Sequence, residues 1–268
     1  MRDGPHFQHL LGRSVEGRAI TVQANFDPAL EPPRGVTLLI GGTHGDEPAT
    51  VRLLEDFLSR GLPSEPVAVL PLHNPDAFAR GTRLNARGVD INRNCDFNWR
   101  ADADEPPGPH PWSEPETCAL RDFILAVRPA KIVSLHWALA EIDADGHHST
   151  ALAQAMWNAM SEAERRPYRL RVTEPGRGQR RLERIYAACP GSFGQWCGYG
   201  LEYPDGSAPA MITLELPYDP AVEARPDELL DAHLDFVRDL WWRDAAGYMQ
   251  AVAPGVMRML SAACRHRE

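Results

Sequence analysis

The chain has 268 residues, 43% of them hydrophobic, with 28 basic against 37 acidic side chains and a net charge of −9. That length suits one α/β domain with a sizeable core, and the acidic balance argues against a nucleic-acid partner, which needs clustered Lys and Arg. Met1 to Arg18 is polar, without the apolar run of a signal peptide, and no stretch approaches the ~20 apolar residues of a membrane span. Cys95, Cys118, Cys189, Cys197 and Cys264 are odd in number and form no CxxC pair, so neither a disulfide framework nor a thiolate metal site is expected. The expectation is a cytoplasmic protein without a nucleic-acid or membrane partner, working as a monomer or homodimer.

Ala19–Phe26 and Val36–Gly41 read as strands, the second a nearly continuous apolar run suited to a covered sheet. Glu47–Arg60 reads as a helix, with Val51, Leu54, Phe57 and Leu58 at helical spacing. Val67–Leu72 is a short buried strand. Asn74–Pro111 follows with little periodicity, and a loop of that length inside a compact domain is usually functional. Ser113 and Glu116 have capping-box spacing and open a helix to about Arg128. Lys131–Leu135 is a strand, Ser149–Arg165 a helix, Met211–Leu216 a strand and Asp227–Met249 a long final helix. Alternation of this kind predicts an α/β fold: a single domain over 1–268, its central sheet mostly parallel or mixed, with helices on both faces.

His44 and Glu47 stand three apart just after the strand Val36–Gly41, where open α/β sheets place their ligands. His136 ends the strand Lys131–Leu135. Two His and one Glu make a catalytic zinc set with the fourth position open to water. A lone His at a strand end is more often a polar residue satisfied by its neighbours; the co-occurrence at two strand ends raises the metal reading above that. Glu215 lies within a buried strand, where a carboxylate is costly unless paired or functional, although an edge-strand Glu facing water would look the same.

His44-x-x-Glu47, Asn74-Pro75-Asp76, Arg80-Gly81-Thr82-Arg83, Gly88-Val89-Asp90-Ile91-Asn92-Arg93-Asn94, Ser113-Glu114-Pro115-Glu116-Thr117, Ser134-Leu135-His136 and Thr213-Leu214-Glu215-Leu216 stand in one order. Together they resemble the M14 zinc carboxypeptidases, over roughly Leu11 to Leu216. The resemblance implies one zinc ion on His44, Glu47 and His136, with Glu215 as the general base. It implies Arg80 as the arginine that stabilises the developing oxyanion, and Asn92 with Arg93 as the pair binding the carboxylate of the leaving residue. Arg83 and Arg87 are expected to be solvated, and Asp90 and Asn94 to fix the loop. The segment from Tyr186 to Ser192 resembles the one whose tyrosine closes over substrate, and Phe193 then lines the pocket for the leaving residue.

Asp46 stands where digestive members carry a substrate-binding arginine, and an acidic group there could bind the ammonium of a diamino acid. The GTHGDEP wording and short length resemble the bacterial murein peptide amidases, which implies hydrolysis of the γ-D-glutamyl–meso-diaminopimelate bond of a muropeptide. Two alternatives stand beside it. One is a zinc N-acyl amino acid deacylase of the aspartoacylase and succinylglutamate desuccinylase kind, which shares GGTHG-x-E. The other is a catalytically silent peptide-binding module. His147-His148, Trp241-Trp242 and Cys95 are expected to be a solvated loop, packing residues and an unactivated thiol.

Overall fold

The structure, a computed structural model, describes residues 6–137, 139–165, 171–173, 189–217 and 233–267. Eight strands form one mixed sheet: β1 (Phe7–Arg13), β2 (Ala19–Ala24), β3 (Thr37–Ile40), β4 (Val67–Leu70), β5 (Lys131–Trp137), β6 (Glu141–Asp145), β7 (Arg171–Thr173) and β8 (Ala210–Leu216). Their spatial order is β1-β2-β4-β3-β5-β8-β6-β7. The central strands β4, β3, β5 and β8 run parallel, whereas β1, β2 and the β6–β8 pairing are antiparallel. Helices α1 (Pro48–Ser59), α3 (Pro115–Val127), α4 (Thr150–Asn158) and the long α7 (His233–Arg265) pack on the sheet or on one another. The shorter α2 (Pro75–Arg80), α5 (Glu162–Arg165) and α6 (Phe193–Gln195) lie between them. No helix among the described residues is long and apolar enough to cross a membrane.

The two faces follow from the alternation of side chains along a strand. Leu39, Val133, Leu135, Ile212 and Leu214 point to one face, where residues of α1, α4 and α7 complete a core. Leu38, Ile40, Ile132 and Met211 point to the other, against Leu120, Phe123 and Ile124 of α3. On that second face the residue type changes toward the carboxyl ends of the strands. Ser134 and His136 continue β5, and Thr213 and Glu215 continue β8 directly opposite them in register. Glu141 and Asp143 of β6 stand opposite Glu215 and Thr213 on the other side. The sheet is thus apolar at one end of this face and polar at the other.

Three elements differ from the expectations. The segment 74–111 contains α2, capped by Asn74 through Ala77 N–H at 3.2 Å and closed by Gly81 in the left-handed region. Asp76 in its first turn is fully buried and accepts from Ser14 Oγ at 2.7 Å and Glu16 N at 2.9 Å, so the Asn-Pro-Asp motif ties the β1–β2 hairpin to the site loop. The capping box does not form. Glu114 is the N-cap of α3, and the buried Glu116 instead accepts from Val15 N and Asn85 Nδ2. The expected final helix extends to Arg265.

Candidate metal centre and active site

The loop after β3 carries His44 and Glu47 into α1. Glu47 is the N-cap residue of α1, with Pro48 in the first turn, yet its side chain makes no capping bond and is left for other use. Thr50 locks the turn: its hydroxyl donates to Glu47 O at 2.8 Å and accepts from Gly42 N at 3.0 Å. Gly45 is required by crowding, because a Cβ there would lie 2.0 Å from the backbone of Ala77 in α2.

His44, Glu47 and His136 are all buried, and one ligand atom from each lies within 4.8 Å of the others. His44 Nδ1 is 2.7 Å from Glu47 Oε1, and His136 Nδ1 is 3.4 Å from Glu47 Oε2. Oε2 is buried and makes no hydrogen bond. A buried carboxylate oxygen facing imidazole nitrogens, with nothing to satisfy it, fits a divalent cation. The donor set suits one.

The surroundings orient the ligands. His44 Nε2 is 3.1 Å from Asp90 Oδ1, which fixes the ring so that Nδ1 faces Glu47. Asp90 also accepts from Asn92 N at 2.8 Å and from Arg83 Nε at 3.0 Å. Burial alone would lower the His44 pKa, but the charges of Glu47 and Asp90 raise it to about 9. Burial pushes Glu47 the other way, and the two histidines hold its carboxyl far below the usual range. The two carboxylates thus favour a protonated imidazole at His44.

Glu215 lies directly across from His136 in the β5–β8 ladder and is half-buried. Burial first, and then the charge of Glu47, push its carboxyl up to about 8. A group so perturbed, at a strand end beside a ligand set, is the expected place of a proton-transfer residue.

The structure places the two arginines of this run differently. Arg80 is the last residue of α2, which directs its guanidinium outward to Glu16, and its side chain is 44% exposed. Arg83, reached after the left-handed Gly81, turns back into the site. Its Nη1 lies 3.3 Å from His44 Nδ1 and 3.8 Å from Glu47 Oε1, and Nη2 lies 2.9 Å from Asp90 Oδ2. Arg83 was expected to be solvated and is not. Asp90, expected only to fix the loop, also orients His44.

Arg93 is buried, and its fork is filled by the carboxylate of Glu105 at 3.2 and 3.0 Å. Asn92 Oδ1 accepts from Phe193 N at 2.9 Å, which joins the loop to the start of α6. Phe193 itself packs against Trp196 and is buried. Asp46 is half-buried with Oδ1 unpartnered, and burial and the charge of Glu47 raise its pKa. Tyr186 and Trp241-Trp242 fall, wholly or in their side chains, outside the described residues. His147 packs edge-on against Tyr199, and Cys95 is a buried thiol.

Over residues 34–132 the chain matches the succinylglutamate desuccinylase/aspartoacylase catalytic domain, a stretch that includes His44 and Glu47 and ends before His136. It is 35% identical over 202 residues to murein peptide amidase A of Escherichia coli, covering 69% of this chain and 74% of that protein. The chain belongs to the murein peptide amidase A family. The family member from Vibrio campbellii is 30% identical over 241 residues, covering 84% and 83%. The crystal structure of murein-tripeptide amidase MpaA from Escherichia coli O157 superposes with a TM-score of 0.55 at 30% identity, covering 88% of this chain and 92% of that one. Bovine thrombin-activatable fibrinolysis inhibitor shares the fold of this family, with a TM-score of 0.67 at 16% identity.

Proposed function

We propose that the protein is a zinc-dependent amidase that hydrolyses the γ-D-glutamyl–meso-diaminopimelate bond of murein peptides, a cytoplasmic step of cell-wall peptide recycling. The observation that carries this is the convergence of His44, Glu47 and His136 with Glu215 and Arg83 at the carboxyl edge of the sheet. Relatives of 30–35% identity bearing the murein peptide amidase name supply the substrate class.

His44, Glu47 and His136 would hold the zinc. Zinc held there supplies Lewis acidity for a carbonyl and acidity for a water, and its charge favours the ionised form of Glu215. Glu215 takes the proton of the attacking water and returns it to the leaving amine. Arg83 places a preorganised positive charge beside the ligands, where the oxyanion develops. Asn92 and Arg93 take the carboxylate of the leaving residue once Glu105 gives up the Arg93 fork, a bidentate geometry suited to that group. Asp90 keeps His44 in its metal-binding tautomer.

The match over residues 34–132 favours a second reading, hydrolysis of small N-acyl amino acids. Chromatography of products separates the two. The zinc-loaded protein should cut L-alanyl-γ-D-glutamyl-meso-diaminopimelate and leave N-acetyl-aspartate and N-succinyl-glutamate intact. The reverse selectivity would assign the deacylase activity instead.

A further inference from the structure

Arg93 presents one edge of its guanidinium to Glu105, with Nε 3.2 Å from Oε2 and Nη2 3.0 Å from Oε1. The third nitrogen, Nη1, donates to Asn92 O at 2.8 Å, so the planar group is also tied to its own loop while its bidentate edge faces the carboxylate. Nη2 contacts Cys189 Sγ as well, at 3.6 Å. Among the described residues, Glu105 is the carboxylate that forms an ion pair with Arg93. In the amidase reading that same edge takes the carboxylate of the leaving residue. One fork therefore has two claimants.

The two partners are unequal in what they lose on separation. The Arg93 side chain is 7% exposed and the Glu105 side chain 35%. A buried guanidinium stripped of its counter-charge is costly, whereas a carboxylate already a third in water regains hydration as it leaves. Arg93 therefore needs an anion in the fork, and Glu105 does not need Arg93. The backbone at Glu105 has anchors of its own. Pro106 O accepts from Asp90 N at 2.8 Å, and Pro107 O accepts from Asn94 Nδ2 at 2.8 Å and from Trp99 Nε1 at 3.2 Å. A residue that precedes a proline is restricted further. Glu105 thus hangs from a fixed segment, between the exposed Asp104 and Pro106. Rotation about its side-chain bonds alone carries the carboxylate out to water.

We propose that Glu105 is a built-in competitor for the Arg93 fork, filling it until a ligand brings a carboxylate of its own. It sets the affinity of the leaving residue without taking part in the chemistry. The proposal rests on the amidase reading for the role of the fork and adds the residue that controls access to it. A ligand carboxylate of matching geometry replaces the ion pair that it breaks, while a neutral amide in the same place leaves the buried guanidinium unpaired. The apparent dissociation constant rises by the reciprocal of the open fraction, so a fork closed about nine-tenths of the time weakens binding about tenfold. That cost falls on KM, because the competitor has already left in the complex that reacts, and kcat is untouched.

Free meso-diaminopimelate is titrated by calorimetry into the zinc-loaded native protein and its Glu105→Gln and Asp104→Asn variants. Glu105→Gln keeps the shape of the side chain and weakens its hold on Arg93, whereas Asp104→Asn removes the same charge from the neighbouring residue and controls for the overall field. Glu105→Gln should bind about 10-fold more tightly than the native protein and Asp104→Asn within about twofold of it, with zinc content equal throughout. A structural lesion would not tighten binding. Equal, weaker or undetectable binding by Glu105→Gln, or an equal gain in Asp104→Asn, would overturn the proposal. L-Alanyl-γ-D-glutamyl-meso-diaminopimelate is then assayed with the same proteins, where Glu105→Gln should lower KM about 10-fold and keep kcat within about twofold. A gain in binding with no tripeptide cut by any of them would refute the amidase function and leave the role of Glu105 standing. Cleavage by the native protein, with no gain in binding or in KM for Glu105→Gln, would refute the role of Glu105 alone.

Discussion

Glu215 faces His136 directly across the parallel β5–β8 ladder, so a proposed metal ligand and the proposed proton carrier are held by one backbone register. Changing the carboxyl without changing the strand should separate the two jobs. Glu215→Gln is expected to lower kcat by about 100- to 10,000-fold while the protein still binds one equivalent of zinc. Metal analysis beside steady-state kinetics checks both halves; a loss of zinc in the variant would show that Glu215 serves the metal and not the proton.

The two arginines of the Arg80–Arg83 run should behave differently. Arg83→Met is expected to lower kcat/KM by about 100- to 1000-fold, the cost of removing a preorganised oxyanion donor. Arg80→Met removes an exposed pair with Glu16 and should stay within about threefold of the native rate. Equal losses in both variants would contradict the placement of Arg83.

Metal binding should release a proton. His44 titrates at about 9 in the metal-free protein, so it is protonated at pH 7.5 and must give up Nδ1–H to become a ligand. Zinc titrations in buffers of different ionisation enthalpy should report about one proton released per metal at that pH. A buffer-independent enthalpy would count against a protonated His44.

His73 should make stability pH-dependent. It is buried, donates from Nε2 to Glu116 O at 3.1 Å, and its pKa is lowered by burial from 6.5 to about 4. The folded value lies below the unfolded one, so the neutral ring's contribution is whole above pH 6.5. It is lost as the pH falls toward 4, where the unfolded chain takes up a proton that the folded chain does not. The loss is on the order of 3 kcal/mol. Denaturant unfolding of the metal-free protein from pH 7 to 4 should show that slope, and His73→Gln, though less stable at pH 7, should lack it.

The candidate ligands and base were legible because His136 and Glu215 stand toward the ends of strongly apolar strands and His44 with Glu47 follow one closely, where a His or a Glu stands out. Arg83 was not legible in the same way. Spacing alone does not say where α2 stops, and Gly81, whose left-handed conformation ends the helix and swings Arg83 inward, was the available signal. β6 drew no strand reading because Glu141, Asp143 and Asp145 face the polar end of the sheet, leaving only Ile142 and Ala144 to mark a strand. The Ser113–Glu116 spacing promised a cap, but Asn85 and Val15 N claim the Glu116 carboxylate from distant parts of the chain. Such long-range bonds have no local signature. β1 escaped notice for a related reason, since an edge strand of mixed polarity lacks a clean alternation.

The most direct test is mass spectrometry of L-alanyl-γ-D-glutamyl-meso-diaminopimelate incubated with the native and Glu215→Gln proteins, each carrying one equivalent of zinc. Release of free diaminopimelate by the native protein alone is the expected result. An intact tripeptide, or equal release by both proteins, would contradict a zinc amidase that works through Glu215.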